Sequence, residues 1–232
     1  MSTIRAIAQA ARAASHDLAT LSGPARSALL HDLAAALRDP AVIAPLLAAN
    51  RDDLAAAATA HARGELDTAR YQRLGLDPNK LAGVAHGLEQ LAHAPELLGR
   101  ADLRRELDDG LVLERVPCPL GVLGVVFEAR PDAVPQIAGL ALKSGNAVLL
   151  RGGSDAASSN AALGLVVRDA LVASGVPAGA VQVLPPLDRE ATKVLLQQTG
   201  LIDLVIPRGG EGLIRFVTEH ARVPVIQHFQ GV

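Results

Sequence analysis

Three short stretches hold most of the side chains able to do chemistry in this 232-residue chain. They are Glu128-Ala129-Arg130-Pro131-Asp132, Arg151-Gly152-Gly153-Ser154-Asp155 and Pro207-Arg208-Gly209-Gly210-Glu211-Gly212, and each follows a short apolar run. Leaving three charges in five residues buried and unpaired would be costly, so Glu128, Arg130 and Asp132 either line a cleft or pair with one another. In the second stretch, glycines let the backbone approach a ligand, and the start of a helix offers free N–H groups to an anion. Arg151 and Ser154 supply the cation and hydroxyl that suit a dinucleotide carrying an extra phosphate, whereas Asp155 fits a ribose contact or a helix cap. The third stretch has neither the G-x-G-x-x-G spacing nor a G-K-[ST] phosphate loop, and alone it could be an ordinary glycine-rich turn. Beside the other two loops it points to an anionic ligand.

Positioning these loops requires a sheet, and the apolar pattern provides one. Residues 122–127, 147–150, 181–184, 204–206 and 223–226 read as short strands, and 133–143, 156–173, 189–198 and 212–221 as the helices between them. Short, nearly continuous apolar strands alternating with helices indicate a parallel sheet covered on both faces, with ligands gathered beyond the carboxyl ends of the strands. Upstream, residues 4–98 carry helical periodicity, broken at Ser22-Gly23-Pro24, Asp39-Pro40, Gly64, Asp77-Pro78 and Pro95. Residues 111–116 alternate like an exposed strand, with no obvious antiparallel partner, and an unpaired edge invites association. The expected fold is therefore α/β: a helical layer over residues 1–110, an extended, oligomerisation-type strand at 111–120, and doubly wound, Rossmann-like NADP-binding βαβ units at 121–232.

Composition narrows the function. The chain is 50% hydrophobic and 2% aromatic, so its core must pack Ala, Leu, Val and Ile. A formal charge of -2, with no basic run interleaved with aromatics, argues against nucleic acid as a partner. Cys118 is the only cysteine, which excludes an internal disulfide and fits a reducing, cytoplasmic setting. Flanked by Pro117 and Pro119 and upstream of the sheet, it reads as a structural thiol rather than a nucleophile. The seven histidines include no pair at metal-ligand spacing, so no metal site is expected; His228 stands out only by following the last expected strand. No apolar run reaches the roughly 18 residues of a membrane span. The opening MSTIRAIAQAARAASHDLATL is Arg-bearing and amphipathic, but Asp17 interrupts it, and it reads as a first structural helix rather than a targeting presequence.

The runs RVPCPLGVLGVVFEARPDAVPQIAGLALKSGNAVLLRGG, VIPRGGEGLI and VPVIQHFQGV, with NRDDLAAA and LDPNKLAGVAHGL upstream, resemble the γ-glutamyl phosphate reductase family of the aldehyde dehydrogenase superfamily. The resemblance covers nearly all of the chain but only about the first half of the family's usual length. It implies NADPH-dependent reduction of L-glutamyl 5-phosphate to L-glutamate 5-semialdehyde, with release of phosphate, in proline biosynthesis. The family's cysteine thiolate displaces phosphate to form a thioester, which accepts hydride from the cofactor. That cysteine lies in an S-T-C-N-like segment with no counterpart here, so the chain reads as a truncated form without the catalytic domain, expected to bind NADPH but not to turn over.

The resemblance also assigns roles. Glu128, Arg130, Pro131 and Asp132 match the loop near the reacting centre, with Asp132 suited to a substrate amine or to loop structure rather than to an oxyanion, which it would repel. Arg151, Gly152, Gly153 and Ser154 match the adenosine-phosphate loop, and Pro207, Arg208, Gly209 and Gly210 the loop near the pyrophosphate. His228-Phe229-Gln230-Gly231 departs from the family pattern and leaves His228 without a role. The implied partners are the small-molecule substrate and either a homo-oligomer or a separate catalytic half. The alternative is a non-catalytic NADP-binding or assembly fragment. A broad-specificity aldehyde dehydrogenase fits the EARPD and RGG loops less well.

Overall fold

Capping side chains begin most of the N-terminal helices, three times with a proline in the first turn. The computed structural model describes residues 2–128 and 130–226. The first helices are α1 (Ser2–Thr20), α2 (Gly23–Ala36), α3 (Pro40–Ala62), α4 (Thr68–Leu74) and α5 (Pro78–His93). Ser22, Asp39, Asp67 and Asp77 each accept a backbone N–H of the helix that follows, removing one of its orphan donors. The breaks expected at Pro24, Pro40, Gly64, Pro78 and Pro95 all fall outside or at the ends of these helices.

A hairpin follows. Strand β1 (Leu103–Asp108) pairs antiparallel with β2 (Leu111–Arg115) across Asp109-Gly110, with Gly110 at φ 73°. The strand near residue 111 therefore does have a partner, lying within the stretch expected to be helical. Leu103-Arg104-Arg105-Glu106 gave no clear alternation because neither face of β1 is buried.

The second sheet is parallel, ordered β5 (Val181–Val183), β4 (Ala147–Arg151), β3 (Val122–Phe127) and β6 (Leu204–Arg208). All six residues of β3 are buried, which accounts for its unbroken apolar run. Helices α6 (Ala133–Lys143), α7 (Ala157–Ala173), α8 (Arg189–Leu196) and α9 (Glu211–His220) connect or flank the strands. Successive side chains of β5 show the two covered faces: Val183 lies against Gly164 of α7, whereas Gln182 Nε2 donates to the Ile7 carbonyl of α1. Residues 223–226, expected as a fifth strand, make only an isolated parallel bridge, Val205 to Val225, among the described residues. Pro224 has no N–H, so pairing there reduces to Val205 N–H on the Pro224 carbonyl and Ile226 N–H on the Val205 carbonyl.

The chain runs from β3 through β4 to β5 on one side, then returns to place β6 on the other side of β3. That reversal opens a crevice above the carboxyl ends of β3 and β6.

Candidate functional site

Two adjoining cavities lie over this edge. The larger, of about 530 Å³, is lined among others by Arg73, Arg130, Asp132 and the Pro207 to Gly210 turn. The other, of about 350 Å³, is lined by Arg151, Gly153, Ser154, Asp155, Arg189 and the start of α9. Phe127, Glu128 and Arg70 line both, so the two form one groove. All three expected loops meet here; Arg151 and Arg208 close their strands instead of following them.

The two Arg-Gly-Gly turns differ in detail. Arg151 is half-buried and donates from Nη2 to the Leu187 carbonyl at 2.7 Å, and its buried Nε has no partner among the described residues. Burial pushes its pKa below the ordinary guanidinium value. Arg208 is exposed at the rim. Gly152 serves internal packing: a Cβ there would collide with Asn160 and approach the Phe127 ring to 3.0 Å. Gly209 is similar, since its Cβ would sit 2.7 Å from Glu128 and Leu213 side-chain carbons. These two glycines let protein, rather than ligand, come close.

The helix starts differ more. At α7 the backbone N–H groups of Ser158 and Ser159 donate to the Asp53 carboxylate of α3 at 3.1 and 2.7 Å, and Ser159 Oγ donates to it at 2.6 Å. Asn50, one helical turn earlier, donates to Ser159 Oγ and the Leu74 carbonyl and accepts from Leu76 N–H. This α7 start is thus occupied by an internal carboxylate, and the free anion site expected after Arg151 is not present there. At the start of α9 no side chain among the described residues accepts from the free N–H groups: Gly210 is the N-cap, with no side-chain cap, although the Glu128 side chain lies alongside it. The first turn of α9 borders both halves of the groove through Gly210 and Gly212.

In the EARPD loop, Asp132 is buried, accepts from Gln136 Nε2 at 3.2 Å, and lies 3.4 Å from Lys80 and 3.8 Å from Arg130. Arg130 is exposed and Pro131 buried. Asp155 pairs loosely with Arg70 at 3.7 Å, which balances the one acid beside Arg151 and Ser154. Cys118 is exposed and free, so it is not a packed structural thiol, and it lines neither cavity. His228 lies outside the described residues, as does Ala129 of the EARPD loop. Sequence reading missed Arg70, Arg73, Arg189 and Asp53; the only available signal was the i, i+3 spacing of Arg70 and Arg73 on one short helix.

The chain matches known proteins over its whole length. It is 47% identical to the γ-glutamyl phosphate reductase of Sorangium cellulosum over 99% of its own length and 54% of that protein's. It is 46% identical to that of Xanthomonas campestris pv. campestris, again over 99% of this chain and 54% of the relative. The chain is homologous to γ-glutamyl phosphate reductases. It spans about half the length of the curated relatives it matches. The crystal structure of γ-glutamyl phosphate reductase from Thermotoga maritima superposes with a TM-score of 0.88 at 32% identity, covering 96% of this chain and 52% of that one. The Saccharomyces cerevisiae enzyme gives 0.88 at 34% identity, covering 100% and 57%. An NAD-dependent aldehyde dehydrogenase from Sinorhizobium meliloti shares the fold, with a TM-score of 0.72 at 18% identity over 97% of this chain and 41% of that one. No protein-family model matches. No described helix is long and apolar enough to cross a membrane, and no described cluster of His, Cys, Asp or Glu is arranged to hold a metal ion.

Proposed function

We propose that this chain forms the NADPH-binding part of a γ-glutamyl phosphate reductase, which reduces L-glutamyl 5-phosphate to L-glutamate 5-semialdehyde with release of phosphate in the cytoplasm. The observation that carries the reading is Arg151: a half-buried guanidinium at the groove wall, with a buried Nε unpartnered and no carboxylate paired to it among the described residues. A 2′-phosphate supplies the missing anion, and Ser154 adds a hydroxyl beside it.

The other residues fit the remaining parts of the nucleotide. Thr192, Leu213 and Phe216 offer a mainly apolar wall between α8 and α9 for the adenine. The uncapped start of α9 suits the pyrophosphate, and Arg208 adds positive charge at its rim. Glu128, at the junction of the two cavities, suits ribose hydroxyls. The bound nucleotide supplies hydride; the EARPD loop faces the acyl group that accepts it. Cys118 lines neither cavity, so the thiol of a thioester mechanism comes from outside these 232 residues. Titration of NADPH and NADH followed by nucleotide fluorescence tests the reading. Micromolar NADPH binding at least tenfold tighter than NADH is expected, and a folded chain that binds neither would refute it.

A second reading, an assembly fragment, is favoured by the hairpin. Leu103, Leu107, Leu111, Val112 and Leu113 are all exposed on β1 and β2, and such a surface calls for a protein partner. Light scattering should show a dimer or larger species; a monomer at high concentration would remove this element.

A further inference from the structure

Asp155 is the acid at the Ser154 corner of the groove, and it caps no helix: neither the short turn Ser154–Ala156 nor α7 takes a capping bond from its N-cap side chain. Its ion-pair partner among the described residues is Arg70 on α4, whose Nη2 lies 3.7 Å from Asp155 Oδ2. Both line the nucleotide half of the groove beside Ser154. They also line a cavity of about 440 Å³ behind the pair, where Glu65 is a further exposed acid.

One small core sets the backbone of both residues. Asp67 accepts the Arg70 N–H at 2.8 Å and so fixes the first turn of α4. Tyr71 stacks on His61 of α3, and Leu74 is buried with Ala57, Leu66 and Ala156, the residue after Asp155, in a cluster separate from the main core. The ends of the two side chains are less constrained. Their 3.7 Å gap exceeds a hydrogen bond, so the Arg70 guanidinium can turn its donors to a ligand without leaving its carboxylate far behind.

Charge decides what this corner binds. Arg151 and Asp155 alone cancel, so a phosphate carrying roughly two negative charges would gain little there. An unmasked Asp155 would instead accept from ribose hydroxyls, which suits a dinucleotide without the extra phosphate. Arg70 neutralises the acid and leaves the corner net positive. Arg151 is poorly placed to do both tasks, because its Nη2 is committed to the Leu187 carbonyl and its Nε is buried. Arg189 lines the same cavity from the first turn of α8 but makes no ion pair with Asp155.

We infer that the Arg70–Asp155 pair selects between phosphorylated and unphosphorylated dinucleotide. Arg70 masks Asp155 and, with Arg151 and Ser154, donates to the 2′-phosphate; Asp155 is a positioning residue that keeps the guanidinium at this corner. The inference rests on the proposed NADPH reading and adds the residues from α4 and the 154–156 turn that make the discrimination.

Calorimetry on the whole chain tests it with two probes that differ only in the 2′-phosphate, adenosine 2′,5′-bisphosphate and AMP. The wild-type chain should prefer the bisphosphate by about tenfold to a hundredfold, the worth of charge-assisted bonds to one phosphate. Arg70→Met keeps the aliphatic stem and should erase that preference, with AMP bound no more weakly than before. Adding Asp155→Asn to Arg70→Met should recover about tenfold of it, because the acid that repels the phosphate is gone; such non-additivity is not expected of two residues that only hold the fold. Arg70→Lys, which retains the charge, should keep most of the preference. The two side chains are 46% and 38% exposed, so the variants should fold, and circular dichroism checks that they do. A preference that survives Arg70→Met, or a double variant no better than the single one, would overturn the inference while leaving the NADPH reading intact. A folded wild-type chain without any preference would overturn both.

Discussion

The tripeptide Arg-Gly-Gly closes two strands of one sheet, β4 and β6 on either side of β3, at 151–153 and 208–210, and each time a helix follows. From sequence the two turns look alike, yet the structure gives them opposite roles. After β4, the α7 start is filled by Asp53, brought from α3 more than a hundred residues away, and the arginine is the unsatisfied group. After β6, the arginine is exposed and the α9 start is unfilled. A glycine-rich turn before a helix therefore does not by itself specify an anion site. Whether another part of the protein has already supplied the anion decides it.

Breaking the filled turn should have the largest effect. Asp53→Ala leaves the Ser158 and Ser159 N–H groups without their acceptor and also strips the Ser159 hydroxyl. A loss of about 2 to 4 kcal/mol in urea unfolding is expected. Arg151→Ala acts on ligand as well as removing the internal bond to the Leu187 carbonyl. NADPH affinity should drop by about tenfold to a hundredfold while NADH is little changed, the contribution of charge-assisted bonds to one phosphate. Calorimetry on both nucleotides reads the difference.

Converting the open turn into the filled kind sharpens the comparison. Gly210→Asp places a carboxylate at the α9 N-cap, where a Cβ has room: its nearest neighbour is Glu128 Oε1 at 3.6 Å. Stability should change by only a few tenths of a kcal/mol. Both nucleotides should weaken together, by about threefold to tenfold, as the helix start is lost to an internal anion. The smallest effect belongs to Cys118→Ser: the thiol is exposed and away from the groove, so nucleotide titrations should be superimposable.

What the sequence revealed and what it hid follow the same division. The helices up to His93 were legible because proline and the capping residues Ser22, Asp39 and Asp77 are local signals. The sheet was legible because strands covered on both faces are apolar throughout. Strand β1 was hidden because Leu103-Arg104-Arg105-Glu106-Leu107-Asp108 buries neither face and so shows no pattern of burial. Pairing at 223–226 was over-read because apolar content does not reveal that Pro224 lacks the donor a ladder needs. The three loops of the groove were legible from their charges and glycines. Asp53 was not, since in Asn50-Arg51-Asp52-Asp53 it looks like one more charge on a solvated helix face. Arg70, Arg73 and Arg189 likewise acquire meaning only once α4 and α8 are placed beside the sheet edge.

Amide NMR of the isotopically labelled chain during NADPH titration would test the contrast most directly. The account predicts the largest shifts at Glu211 and Gly212, at the start of α9, while Ser158 and Ser159, already bound to Asp53, stay in place. Shifts centred on Ser158 and Ser159 with α9 unmoved would contradict it.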